Sequence, residues 1–360
     1  MQISLYNTIK DVEKDYKEDL NNILLDSLDS HIAWYHLLDQ HLPNYEPLYF
    51  VGIKNEKLVA LGTGYNVQRL DLLQYLPPRI KKILSFLNKL KINPFKFNVV
   101  FLTNPMSGEK GIRVAHQVLL DEFISEITDY IYTNIKPASI FVNNISDANV
   151  NSYSKTYNRI PFYPNTVLEL DFNSFEDYLK HLKKKKRWDA RNKMKLLNEY
   201  GCDVVIYRNS EINNYEEVFQ LYKNTSNHNE EVSNVINYNQ QTFNNMNELP
   251  DCYKWIYVTY KNQLVGFALL FEENEALVFK HVGLDYKHSY DCFAYFNLFY
   301  IAIQYGISKG YKKMYCGSTT YETKKRIGCS LIPNHAFISF KSKFLSGFAK
   351  RILQKNFSKS

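Results

Sequence analysis

Residues 276–333 carry the pattern that most constrains the fold of this chain. An apolar run, Ala-Leu-Val-Phe-Lys-His-Val-Gly-Leu from Ala276, predicts a strand that ends in a polar turn. An aromatic run at residues 293–303 predicts a helix, and a short strand at residues 314–316 leads into a polar loop. A strand, a crossover helix and a parallel strand bring their carboxyl ends to one crevice, where open α/β sheets bind ligands. The segment therefore predicts a site as well as a fold.

The length of the chain predicts two domains. Its 360 residues, of which 45% are hydrophobic, are enough for two ordinary cores and too many for one small domain. Only 13 residues are glycine, against 29 tyrosines and 23 phenylalanines, so we expect order along most of the chain.

Charge and cysteine usage narrow the class of protein. A formal net charge of +7 favours an anionic partner such as a phosphate, a coenzyme, a nucleic acid or a lipid headgroup. The five cysteines form no CxxC pair and no metal-ligand spacing, which predicts a reducing compartment and no bound metal. The N-terminus lacks the apolar region of a signal peptide, and no apolar run reaches the roughly 20 residues of a membrane span. We expect a cytoplasmic protein.

A similar order of elements occurs in both halves of the chain. The first half predicts a hairpin at 47–63, a strand at 97–103, a helix at 115–135 and a strand at 139–142. The second half predicts a strand at 165–171, a basic helix at 175–200, a strand at 204–207, a helix at 214–227 and a hairpin at 255–271 before the opening segment. This repetition suggests a duplicated domain. The predicted limits are 1–164 and 165–340, followed by a basic amphipathic tail at 341–360.

These residues and their order resemble the tandem acyltransferases of the GNAT superfamily, in particular the BioF2-like and Fem-type branch. The matching features are the hairpin with Val265 and Gly266, the strand end at 281–285, residues 317–333, and the basic helix with Arg187 and Arg191. The resemblance covers residues 165–340, and the first half matches by architecture only. It implies an α/β protein of two GNAT-like folds, each a mixed, mostly antiparallel twisted sheet flanked by helices, with the active site in the second.

One turn departs from the superfamily pattern. Single-domain acetyltransferases hold the coenzyme pyrophosphate with a glycine-rich turn before the helix. The corresponding turn here, residues 285–291, has no glycine, whereas residues 107–113 of the first half contain Gly108 and Gly111. The departure argues against acetyl-CoA as the donor and leaves an acyl or aminoacyl donor open.

Acyl transfer to an amine requires a base for the amine and an acid for the leaving group. His281 on the long strand is the predicted base, and Tyr321 after the last core strand is the predicted acid, in a place where the superfamily often supplies a tyrosine. The alternatives are a hydrogen-bonded histidine on a sheet face and a tyrosine that only packs.

Several polar residues are predicted to bind the donor or the substrate. Cationic side chains suit phosphate and carboxylate oxygens, hydroxyls line the turn and the last strand end, and the paired arginines four apart lie beside Trp188. The predicted set is Arg187, Arg191, Tyr286, Tyr290, Ser318, Thr319, Lys324, Arg326 and Gly328. The alternatives are solvated surface charges, a helix cap formed by Asp291, and hydroxyls that only pack.

Three functions are compatible with the sequence. The first is transfer of an acyl group from a thioester, carried by CoA or an acyl carrier protein, to an amine by direct attack. The second is aminoacyl transfer from charged tRNA to a cell-wall precursor, as the Fem-type resemblance implies. The third is a catalytically silent fold that binds an anionic membrane or RNA through the basic helix at Lys183 and the C-terminal tail.

Overall fold

The computed structural model describes residues 1–25, 28–71, 96–228 and 237–342. These residues form two compact units. The first consists of Met1–Ile32, Tyr45–Tyr163 and the described part of the segment from Pro333 onward. The second consists of Ala33–Asn44 and Pro164–Ile332.

The described residues contain the following strands and helices. The strands are β1 Gln2–Tyr6, β2 Pro47–Lys54, β3 Lys57–Asp71, β4 Lys96–Leu102, β5 Ile112–Val114, β6 Ser139–Ile145, β7 Asn158–Pro161, β8 Asn165–Glu169, β9 Cys202–Arg208, β10 Tyr253–Tyr260, β11 Gln263–Glu273, β12 Ala276–Leu284, β13 Lys313–Gly317, β14 Ser330–Ile332 and β15 His335–Phe340. The α-helices are α1 Ile9–Leu25, α2 Ile32–His41, α3 Leu120–Tyr130, α4 Val150–Ser154, α5 Phe175–His181, α6 Lys184–Glu199, α7 Tyr215–His228, α8 Gln240–Asn244, α9 Ala294–Ser308 and α10 Tyr321–Ile327.

The first unit is built on a sheet with the strand order β1-β2-β3-β4-β6-β15-β7, to which β5 adds beside β3. Its strands are antiparallel except for the β4 and β6 pair, which are parallel and joined by α3. Helix α3 repeats apolar residues at positions 120, 123, 124 and 127, and this face is buried against the sheet. The arrangement is the strand, helix and strand that the sequence predicts for this half.

The second unit is built on a sheet with the strand order β14-β8-β13-β12-β11-β10-β9. Only β12 and β13 are parallel, and α9 connects them. On one face Phe279 stacks on Phe299 of α9 with ring centroids 4.1 Å apart. On the other face α7 approaches β12 closely at Gly283, where an added β-carbon would lie 2.7 Å from the backbone of Leu221.

The predicted fold class is confirmed, since both sheets are mixed, mostly antiparallel and flanked by helices. The hairpins at 47–63 and 255–271 are also observed, as β2 with β3 and β10 with β11. Their alternation of apolar and turn residues is a local signal that distant contacts did not override.

The prediction of a single basic helix at residues 175–200 is wrong, because the structure has two helices separated by two residues. Leu182 and Lys183 have extended backbones, with ψ angles of 144° and 146°, so α5 ends before them and α6 begins after them. Leu182 is buried and packs near Gly328. Burial of this leucine explains the break, because the extended backbone directs its side chain into the core.

The polar loop predicted around Lys324 is also wrong, because residues 321–327 form α10. Lys324 and Ile327, three residues apart, both face the interior. Seven residues are too few to show helical periodicity in a polar sequence, so no local pattern indicates this helix.

The compact units differ from the predicted limits in two segments. Strand β15, placed in the second domain by the sequence, pairs with β6 and β7 of the first sheet, and its Phe337 belongs to the first core. Residues 33–44 belong to the second unit. The predicted tail at 341–360 lies outside the described residues from position 343 onward.

Candidate active site

The parallel strands β12 and β13 separate after three residue pairs. Ala276, Leu277 and Val278 pair with residues 313–315, and β12 then continues to Leu284. From Phe279 onward the edge of β12 that faces β13 has no strand partner among the described residues. The carboxyl ends of the two strands therefore open a cleft in the sheet, where ligands bind in folds of this kind.

A β-bulge lies at the start of this open part. Leu269 and Leu270 of β11 pair with His281 and Phe279, which leaves Lys280 without an opposite residue. Bulges re-aim side chains and are common beside active sites. Here the ammonium group of Lys280 lies 4.0 Å from the ring centroid of Trp34.

His281 lies in an aromatic pocket. Its ring centroid is 5.1 Å from that of Tyr238, 5.9 Å from Tyr222 and 6.0 Å from Trp34. The Nε2 atom of the imidazole and the Tyr238 hydroxyl are 2.9 Å apart. Burial, and after it the charge of Lys280, lowers the pKa of His281 to about 3. The imidazole is thus neutral at neutral pH, and a pKa this far below the working pH makes it a weak proton acceptor in the unliganded site.

Tyr321, the predicted acid, begins α10. Its hydroxyl donates a hydrogen bond to the carbonyl oxygen of Pro164 at 2.8 Å. The hydroxyl proton is therefore engaged with the main chain that leads into β8. This contact gives Tyr321 a structural role in holding α10 against the sheet, beside the catalytic role that remains a prediction.

Lys324 is a buried lysine of the second unit. It is 2% exposed, and among the described residues no carboxylate lies within ion-pair distance of its ammonium group. Burial lowers its pKa to about 8, opposed by the nearby thiols of Cys316 and Cys329. Lysines are almost never fully buried without a partner, and a lysine with a strongly lowered pKa beside a cleft indicates a site for an anionic group.

The loop after β13 is held in place by side-chain hydrogen bonds. Gly317 ends the strand with a φ of +72°, and its carbonyl accepts a hydrogen bond from the Thr166 hydroxyl at 2.6 Å. The hydroxyls of Thr320 and Tyr295 are 2.7 Å apart. Ser318 and Thr319 lie between these fixed points, so the structure places both in the loop beside Lys324. Tyr295 was missed because, in the sequence, it is one aromatic residue of an apolar helix.

The glycine-free turn before α9 uses its backbone amides internally. The amide of Lys287 donates to the Asp285 carboxylate at 3.0 Å, and the amide of Ser289 to the Asp285 carbonyl at 2.8 Å. The amide of Ala294 donates to the Ser289 carbonyl at 2.9 Å. These amides are therefore not available to a pyrophosphate, in contrast to a glycine-rich phosphate turn. No side chain caps α9, so the capping role of Asp291 is not observed.

Tyr286 and Tyr290 in this turn meet a histidine from α7. The ring of His228 stacks on Tyr286 at 4.3 Å, and its Nε2 atom lies 3.3 Å from the Tyr290 hydroxyl. Tyr286 is half-buried, and this burial raises its pKa. His228 was missed because the sequence marks it only as a residue at a helix end.

The predicted arginines make local contacts. Arg187 donates to the carbonyl oxygen of Lys180 at 3.1 Å, and Arg191 pairs with Glu176. Arg326 is exposed on α10. Gly328 ends α10 with a φ of +98°. This conformation favours glycine, so the helix end alone explains why a glycine occupies the position.

The two-glycine loop of the first half does not have the features of a phosphate loop. A β-carbon on Gly111 would lie 2.5 Å from the backbone nitrogen of Thr103, so the glycine serves a close packing of two strands. Burial raises the pKa of Glu109 in the same loop to about 7. A carboxyl group in this position disfavours an anionic ligand whenever it is ionised.

One family model and several solved structures are similar to this chain. A FemAB-like family model, described as peptidoglycan biosynthesis/recognition, matches residues 119–356. Among solved structures, FemX is similar with a TM-score of 0.58 at 9% identity, over 94% of this chain and 98% of FemX. L-PGS from Bacillus licheniformis is similar with a TM-score of 0.53 at 11% identity, over 88% and 95% of the chains. A tandem GNAT protein from the clavulanic acid biosynthesis pathway is similar with a TM-score of 0.53 at 6% identity, over 95% and 99%.

A sequence search of curated proteins finds no significant match. Within the described residues, no helix combines the length and apolar character needed to cross a bilayer. The same part of the chain contains no cluster of three or more histidine, cysteine or acidic side chains suited to a metal ion.

Proposed function

This chain is a transferase of the FemAB-like family with a GNAT-type fold, and we propose that it moves an amino acid from charged tRNA to an amine of a cell-wall precursor. The observation that carries the choice of donor is the turn before α9, in which the amides of Lys287, His288 and Ser289 bond to Asp285. A donor that needs no pyrophosphate cradle at this place fits that turn better than acetyl-CoA does. The family description supports a cell-wall acceptor.

The proposed chemistry is direct aminolysis of an ester. The acceptor nitrogen attacks the carbonyl carbon of the aminoacyl group, a C–N bond forms, and the bond from that carbon to the ribose oxygen of the tRNA breaks. His281 is the proposed acceptor of the proton from the attacking amine, a role for which the bound substrates have to raise its pKa from about 3 towards the working pH. Tyr321 is the proposed proton donor to the leaving ribose oxygen, which requires its hydroxyl to exchange the Pro164 carbonyl for that oxygen.

Lys324 is the proposed binding group for negative charge. Its ammonium group is protonated in most molecules at pH 7, because its pKa is about 8. A buried cation interacts strongly with an oxyanion or a phosphate oxygen, since little water screens the interaction. Ser318, Thr319, Tyr286 and Tyr290 are proposed to contact the same substrates from the two loops at the cleft.

Transfer from an acyl thioester is the second candidate. The similarity to the tandem GNAT protein of the clavulanic acid pathway favours it, because that structure is described as the form without AcCoA, which points to AcCoA as a ligand of that protein. The two donors are separated by an assay that offers charged tRNA or acyl-CoA to the same amine acceptor, with and without RNase. Transfer from tRNA that RNase abolishes supports the proposal, and RNase-resistant transfer from acyl-CoA contradicts it.

The site residues are tested in the same assay. We expect His281→Gln and Lys324→Met to lower the rate, whereas the matched controls His181→Gln and Lys325→Met keep it, because both control side chains are exposed. Wild-type rates in both site variants would remove the roles proposed for them.

A further inference from the structure

Trp188 is exposed on the surface of the second unit. Its side chain keeps 66% of its area accessible, whereas Trp34 and Trp255 are fully buried. The chain has three tryptophans in all, so this is its single exposed indole. A single exposed aromatic side chain is not unusual in itself, so its meaning depends on the charged residues around it.

Trp188 is part of a basic stripe along α6. Lys184, Trp188, Arg191 and Lys195 follow one another at spacings of four, three and four residues, which places them on one face of the helix. All four are exposed. We call these four residues the α6 stripe.

The cations at the start of α6 are poorly compensated. Lys183, Lys184 and Lys185 are exposed and have no ion pair among the described residues. The first turn of α6 contains no acidic residue and its first residues have no side-chain cap, although the positive end of the helix dipole favours anions there. Further along, Arg191 pairs with Glu176 and Lys195 with Glu199 at 3.2 Å. The charge excess therefore lies next to Trp188.

We infer that the α6 stripe, with Lys183 and Lys185, docks the protein onto an anionic lipid surface. Lysines beside such a surface are attracted by its negative potential, and an indole prefers the interface, where its ring is apolar and its N–H stays wet. Base-paired RNA, such as the proposed tRNA donor, also attracts lysines through its phosphates, but its stacked bases offer no apolar layer to the exposed Trp188 side chain. This inference is independent of the donor and goes beyond the proposed reaction.

Tryptophan fluorescence tests the inference on the full-length protein. Vesicles that contain phosphatidylglycerol should shift the emission of Trp188 to shorter wavelength and protect it from acrylamide, and pure phosphatidylcholine vesicles should not. The variant Trp188→Phe should lose the spectral response, since the two remaining tryptophans are buried. It should still float with anionic vesicles, although more weakly.

A charge variant tests the electrostatic part. The triple substitution K183Q/K184Q/K185Q should weaken vesicle partitioning about a hundredfold, since each basic residue near an anionic surface contributes roughly a factor of five. The control K223Q/K261Q/K309Q removes the same charge from other exposed positions and should bind as the wild type does.

Three results would overturn the inference. They are an unchanged Trp188 spectrum with anionic vesicles, equal weakening by both triple variants, and quenching of Trp188 by tRNA with no response to vesicles. The last result would assign the stripe to RNA instead. Circular dichroism of each variant verifies that it is folded.

Discussion

Lys324 shows at the scale of one residue how burial and charge identify a site. The sequence draws attention to it through its place after the last core strand and its resemblance to the Fem-type pattern. Its burial cannot be predicted in the same way, because it depends on the short helix α10 and on Cys316 and Cys329. A charged group in this environment destabilises the fold, so its presence indicates that it serves a function.

Lys324→Met separates stability from activity. Below pH 8 the ammonium group is charged in both the folded and the unfolded state, and its burial destabilises the fold by about 3 kcal/mol. We expect the methionine variant to unfold at an equal or higher denaturant concentration at pH 7, while its transfer rate falls about a hundredfold. For the wild type, stability should rise between pH 8 and 10.5, because only the unfolded chain keeps the lysine proton there. A variant that is less stable and fully active would show that Lys324 is structural.

The contribution of His281 to stability changes with pH in the acid range, whereas that of Lys324 changes in the alkaline range. Its pKa is about 3 in the folded state against 6.5 for the free side chain, so the unfolded chain binds the proton first. Stability from this residue is complete above pH 6.5 and is lost as the pH falls towards 3. His281→Gln should remove that part of the acid slope in urea titrations, and should lower the transfer rate about a hundredfold. An unchanged acid slope would show that His281 titrates normally.

The residues that surround His281 could not be predicted from the sequence. Trp34 precedes it by more than two hundred positions, and Tyr238 lies in a connecting segment without periodicity. Their contacts with the imidazole arise from tertiary packing, which no local pattern encodes. The histidine itself was predictable because it lies on a recognisable strand.

At the scale of elements, the strands and long helices follow local patterns, and the errors occur where packing decides. The break at Leu182 results from burial of a single side chain. Strand β15 follows the second unit in sequence but pairs with β6 and β7 of the first sheet. These partners are distant in the chain, so no local pattern indicates the pairing. A sequence pattern identifies a strand more readily than its partners.

The contact between α7 and β12 holds the open strand in place and is testable at Gly283. An alanine there would bring its β-carbon to 2.2 Å from a ring atom of Phe267 and to 2.7 Å from the backbone atoms of Leu221 and Tyr222. We expect Gly283→Ala to lower the free energy of unfolding by about 1–3 kcal/mol, measured in urea. Gly266→Ala on the neighbouring strand is the control, since its β-carbon would make ordinary contacts at 3.4 Å or more. Equal stability of the two variants would contradict the close packing of α7.

At the scale of the whole molecule, the chain belongs to the FemAB-like family and contains two mixed sheets of GNAT type. The family and the fold were predictable from the order of elements and the residues at 265–333. The donor was not, because it depends on where the amides of one turn point. The amides of Lys287, His288 and Ser289 bond to Asp285 within that turn, which is why the proposed donor is an ester on tRNA.

The most direct test of the proposed function is amide formation by the purified protein, with charged tRNA or acyl-CoA as donor and a peptidoglycan stem peptide with a free amine as acceptor. We expect a peptide product that carries one added amino acid when charged tRNA is supplied, no product after RNase treatment, and no product from acyl-CoA. Product formed from acyl-CoA and insensitive to RNase would contradict the proposal.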